Sequence, residues 1–179
     1  MTPEFSRPFL VANLPPGGSS VTVEADSGER AGLARRMGVP EIAALVCSFR
    51  LTPESGAAPG GIIAEARLVA RLTQTCVVTL EPFEAELDEQ FRIRFVPAGA
   101  ESEDDDPFGI DEISWQGPAL DLGEAAAEQL GLALDPYPRG PAAPPLGAEA
   151  ATAAEHGPEP ASSRAAHPFA ALAALRRGS

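Results

Sequence analysis

The side chains able to do chemistry in this chain are few and badly placed for it. Its thiols are Cys47 and Cys76, and its imidazoles are His156 and His167. A structural zinc site asks for four such donors, usually in close pairs of the Cys-x-x-Cys kind. Neither Cys has a paired Cys, and both His lie in the C-terminal tail. A nucleophile needs a neighbouring base and a group to orient it. Cys47 alternates with Leu45, Phe49 and Leu51, the pattern of a buried structural thiol. Cys76 follows Gln74 and Thr75 at the start of an apolar run, with no base beside it. The pairs Gly17-Gly18 and Gly60-Gly61 precede strand-like segments, and no Lys follows them, so they are not phosphate loops. Carboxylates abound, but nothing in the run Glu103–Asp106 selects two of them for acid–base work. A non-enzymatic protein with no metal and no cofactor is the expectation. An enzyme would need a deep pocket with converging polar groups.

Charge points instead to binding. The formal net charge is -13, and all thirteen basic residues are Arg. Residues 1–80 balance seven acids against seven Arg. Residues 81–135 hold sixteen acids and only two Arg. Such a segment repels phosphate backbones and attracts basic partners. The stretch 100–112 holds seven acids and no base, and reads as an exposed loop. Asp104, Asp105 and Asp106 within it are candidate partner-binding residues, with Glu124 and Glu128 further on. The competing reading uses Arg67, Arg71, Arg92 and Arg94, which share one polar sheet face if their strands present the same side. Four Arg there could touch RNA phosphates directly. They could equally pair across strands with Glu65, Glu84 or Glu86.

The elements that must position these residues read as α+β: a mainly antiparallel sheet with two or three helices. Residues 5–12 are a possible first strand. Residues 20–26 alternate Val21, Val23 and Ala25 against Thr22 and Glu24, a half-buried strand. Ser27 is the expected cap of a short helix ending at Gly38. Residues 42–51 and a longer run from Ile62 alternate as strands, while 52–61 is a loop. TCVVTL (75–80) and FRIRF (91–95) give two more strand signals. Ile113 and Trp115 mark a brief apolar return. Residues 121–134 form the best helix, with Leu122, Ala126, Leu130 and Leu134 on one stripe and an Asp121/Glu124 capping box. These elements give a domain over 1–137. Residues 138–163 form a disordered Pro/Ala-rich linker, and 164–179 form a short amphipathic helix. No apolar run approaches the roughly 18 residues of a membrane span. The opening MTPEFSRPFLVANL lacks a charged stretch followed by a long apolar one, so the expected compartment is the cytoplasm.

Three stretches in order resemble the YceD family, the large ribosomal RNA subunit accumulation proteins. They are LTQTCVVTLEPF (72–83), ALDLGEAAAEQLGLALDPYP (119–138) and HPFAALAAL (167–175). The last looks like the family's Asn-Pro-Phe ending, which makes Pro168 and Phe169 further candidates for partner binding. Two positions depart from the family pattern. Where many members have Cys-x-x-Cys, this chain has Cys76 and then Thr79, and His167 replaces the usual Asn. A thiol-pair or metal role therefore does not carry over. The resemblance implies a part in 23S ribosomal RNA accumulation and large-subunit assembly, without catalysis. It also implies a partner: a ribosomal protein, or the pre-ribosomal particle.

Overall fold

The computed structural model describes residues 3–54, 61–101 and 109–145. Within them lie the strands β1 (Pro8–Leu10), β2 (Ser19–Glu24), β3 (Glu41–Pro53), β4 (Ile62–Thr75), β5 (Pro82–Pro97), β6 (Asp111–Trp115) and β7 (Ala119–Asp121), with helices α1 (Ser27–Met37) and α2 (Leu122–Ala133). The fold is α+β. The main sheet has the order β2-β3-β4-β5-β6, antiparallel from β2 to β5, and β6 joins β5 in parallel. β1 and β7 make a separate two-stranded ribbon.

Period-2 patterning decides which sheet face is buried. On β4, Ile62, Ala64, Ala66, Leu68, Ala70 and Leu72 all point to one side and are buried. On β3, Leu45, Cys47, Phe49 and Leu51 join them. Leu33 of α1 and Leu122, Ala126 and Leu130 of α2 complete the same core. The opposite face carries the polar residues of each strand, as a one-sided antiparallel sheet allows. Small side chains on the central strand make room for large ones beside them. Ala66 stands between Phe49 and Phe91 in register, and those two rings meet edge to face with centroids 6.1 Å apart.

Several local expectations are corrected. The first strand is confined to Pro8–Leu10, because Val11–Asn13 winds into a 3-10 turn. The cap of α1 is Asp26 rather than Ser27. Its side chain accepts the Glu29 N–H, and Glu29 returns the bond to the Asp26 N–H at 2.8 Å. The expected box at α2 is only half made. Asp121 accepts from Gly123 and Glu124, but the Glu124 carboxylate turns to Arg36 of α1. TCVVTL is not a separate strand: Thr75 ends β4, and the residues from Cys76 to Glu81 connect β4 to β5. Cys76 N–H donates to Glu81 O, Leu80 N–H donates to Cys76 O, and Leu80 takes the left-handed conformation (φ 60°) that closes such a turn. Asp111 and Glu112 of the expected acidic loop belong to β6.

The chain divides into two units, Met1–Ala143 and Pro144–Ser179. The first residues of the expected linker stay with the first unit. Pro138 O accepts the Val77 N–H, and Gly140 is buried so close to Phe83 that a Cβ would lie 3.0 Å from its ring. The expected C-terminal helix over 164–179 lies outside the described residues.

The start of α2 is pressed against the N-terminal segment. A Cβ on Gly123 would meet Phe5 O at 2.8 Å and Arg7 N at 2.9 Å, whereas Gly131 has nothing within 4 Å. Gly123→Ala is expected to destabilise by about 2 kcal/mol or more, and Gly131→Ala to stabilise by about 0.5–1 kcal/mol. Urea unfolding of the two variants checks both signs. Asp121 holds the same junction, accepting from Ser6 Oγ, Arg7 N, Gly123 N and Glu124 N. Burial alone would raise its pKa, but these donors together hold it below the usual 3.8. Its contribution is therefore full above about pH 4 and is lost as pH falls through the depressed folded value. Asp121→Ala is expected to cost about 2 kcal/mol at neutral pH, with the difference from the parent shrinking in acid melts.

Candidate functional site

The outer face of the sheet is where the charged side chains collect. Register places Arg67 opposite Gln90, Glu65 opposite Arg92, Arg71 opposite Glu86, and Arg94 opposite Ile63. These residues all leave the side of the sheet away from the core. The structure thus brings Arg67, Arg71, Arg92 and Arg94 to one face. It also threads that face with acids. Arg67 holds Asp88 with two bonds, at 2.7 and 2.5 Å. Arg94 is shared between Glu54 (2.7 Å) and Glu112 (2.7 Å). Both guanidinium pKa values are raised, first by these side-chain bonds. Arg92 lies between Glu65 and the strand edge, and Glu65 is also opposite Arg50 on β3. The face is a lattice of alternating sign rather than a basic patch.

The acids along β5 are less evenly matched. Glu84, Glu86, Asp88 and Glu89 fall within nine residues that contain no base. Asp88 is held by Arg67, which keeps its carboxyl below the usual range. Among the described residues, no ion pair engages Glu84, Glu86 or Glu89. Sequence reading placed the binding acids further on. Asp104, Asp105 and Asp106 lie outside the described residues, as do Pro168 and Phe169. Glu124 is an interhelix tie, 2.9 Å from Arg36, which also reaches Glu4. Glu128 is exposed. Partial desolvation, and then the Glu124 charge one turn away, push its carboxyl upward. The β5 acids were legible as charge, but their grouping on one strand edge depends on TCVVTL being a turn.

That turn also builds an environment for Cys76. The residue is 1% exposed, and its Sγ accepts the Thr79 N–H at 3.4 Å. The Thr79 hydroxyl and then its N–H, aided by backbone donors of Gly140 and Val78 against the opposing effect of burial, push the thiol down to about 6. Burial pushes Cys47 up to about 12 instead. One Cys is thus a poor acid within a core, and the other sits in a cup of donors. Among the described residues, no group of three or more His, Cys, Asp or Glu is placed to hold a metal.

Residues 64–176 match the YceD family, described as large ribosomal RNA subunit accumulation proteins, and the chain belongs to that family. The matched region starts inside β4 and takes in the Cys76 turn, the β5 acids and α2. No curated protein and no solved structure matches the chain. No described helix is long and apolar enough to cross a membrane.

The Cys76 environment has a measurable consequence. The folded thiol ionises at about 6 and the ordinary one at 9.0. This contribution to stability is full above pH 9, declines as pH falls and is gone once pH has dropped through about 6. Denaturant titrations of the parent between those limits are expected to show it, and Cys76→Ala to lack it. Thr79→Val is expected to raise the thiol pKa, read from the thiolate absorbance.

Proposed function

We propose that the protein supports the accumulation of 23S ribosomal RNA, and so large-subunit assembly, by holding a basic assembly partner on the acidic edge of its sheet, without catalysing a reaction. The family supplies the ribosomal RNA connection. The observation that carries the partner's chemistry is the uneven pairing on the sheet. Arg67 is taken by Asp88 and Arg94 by Glu54 and Glu112, and among the described residues no ion pair engages Glu84, Glu86 or Glu89, although Arg71 stands opposite Glu86 in register. A surface left in that state attracts Lys- and Arg-rich proteins and disfavours bare phosphate. A ribosomal protein of the large subunit fits those terms. Asp104, Asp105 and Asp106 belong to the same acid-rich stretch of sequence, residues 81–135.

Direct RNA contact is the second reading, supported by the common face of Arg67, Arg71, Arg92 and Arg94. Arg71 and Arg92 are the pair to change, since neither is in an ion pair among the described residues. On this reading, Arg71→Ala with Arg92→Ala weakens RNA binding, and affinity falls steeply with salt. A flat salt response argues against it.

Depletion of the protein is expected to lower mature 23S ribosomal RNA and to change the level of its precursor, measured by northern blot. Tagged protein is expected to recover a basic large-subunit protein, and neutralising Glu84, Glu86 and Glu89 together to reduce that recovery. Unchanged 23S levels would remove the assembly role, and recovery indifferent to the three acids would remove their part in it.

A further inference from the structure

Among the described residues, the β5 edge of the main sheet is open over most of its length. β6 lies along β5 only from Ile93 to Pro97. Among the described residues, no strand accompanies Pro82–Arg92 on that side. The hairpin fixes which backbone groups face outward. Cys76 N–H bonds to Glu81 O, and in an antiparallel pair the bonded positions recur at every second residue. Counting along the register, the N–H and C=O groups of Glu84, Glu86, Asp88 and Gln90 point away from β4. An open ladder of this kind is a template for strand addition.

The side chains beside the ladder say which strand it takes. On the outer face, Glu84 and Glu86 are exposed at the flank and in no ion pair among the described residues. On the inner face the edge borders a cleft of about 370 Å³ whose walls include Leu68, Glu89, Phe91 and Leu132. Leu132 is 73% exposed, so α2 leaves an apolar side chain standing over that cleft. A second copy of β5 in this position would set acid against acid, which disfavours self-pairing.

We propose that the β5 edge takes up an extended segment of a basic protein as an added β-strand, with Arg or Lys side chains on the outer face and apolar ones turned toward the Leu132 cleft. This rests on the basic-partner reading above and names how such a partner is held. Alternation of charged and apolar residues is what a strand of period two would need to satisfy both flanks at once.

The test titrates the full chain with a synthetic peptide of about ten residues, the length of a long strand, alternating Arg and Val. Two controls accompany it: one with Glu in place of Arg, and one with a central Pro. Amide hydrogen exchange is followed at Glu84, Glu86, Asp88 and Gln90. The Arg–Val peptide is expected to slow exchange at these amides about tenfold or more, and neither control to do so. Glu86→Pro removes one outward N–H at an edge position where Pro is tolerated, and is expected to weaken binding about tenfold or more. Exchange at the four amides that does not slow at saturating peptide overturns the proposal, whether or not Glu86→Pro folds. So does unchanged affinity in a Glu86→Pro variant with a native melting curve. In either case, recovery of a basic ribosomal protein through Glu84, Glu86 and Glu89 leaves the functional reading standing with another docking geometry. Conversely, edge protection with unchanged 23S levels upholds the strand addition and removes the assembly role.

Discussion

Four donors converge on the Asp121 carboxylate: the Ser6 hydroxyl and the backbone N–H groups of Arg7, Gly123 and Glu124. One side chain therefore caps α2, anchors the N-terminal segment and sits at the end of β7 where it pairs with β1. The chain ends of this arrangement are far apart in sequence, so the carboxylate carries a long-range constraint through short-range bonds. Arg7 extends it to α1. It grips Glu29 with two bonds, reaches Glu24 O and stacks over Phe5 at 4.8 Å. Glu29 is also half of the α1 capping box, so both helix starts share one polar network. A charged network of this kind works only when every member is satisfied. No buried side-chain polar atom among the described residues lacks a partner.

With the helices fixed on one face, the sheet is free to use the other. The inner face is closed by apolar layers in which Ala64, Ala66 and Ala70 let flanking Leu, Ile and Phe approach. The outer face needs no core, so it can carry Arg and Glu rows whose individual exposed pairs contribute little to stability. Their consequence is electrostatic. Arg67 and Arg94 are neutralised in place, and the stretch of β5 before Arg92 carries acids and no base. A core on one face and a field along one edge are two outcomes of the same alternation.

The β4–β5 hairpin gathers backbone donors around one thiol. Cys76 opens the turn and Thr79 follows three residues on. The turn directs the Thr79 N–H at the sulfur, and Leu80 in the left-handed conformation then leads the chain back into β5. Gly140 is buried over Phe83. The turn thus acts as a packing point for the segment leaving α2.

Periodicity in the sequence determined the elements wherever one physical rule governed. The alternation over Ile62–Leu72, the stripe of Leu122, Ala126 and Leu130, and Gly38 as a left-handed helix end all stand as read. Charge bookkeeping also located the acidity, since net charge depends on composition alone. Tertiary structure decided what composition cannot rank. TCVVTL has the residues of a strand, but long-range pairing of β4 with β5 bends it into a turn. Glu124 looks like a reciprocal cap in sequence, but the proximity of Arg36 on another helix gives it a stronger partner. The four Arg share a face as the pattern implied, yet only the register showed which carboxylates meet them. The stretch of β5 that no described strand accompanies was invisible in sequence for the same reason. A strand does not record which neighbour it lacks, and that is settled only when β6 stops pairing at Ile93.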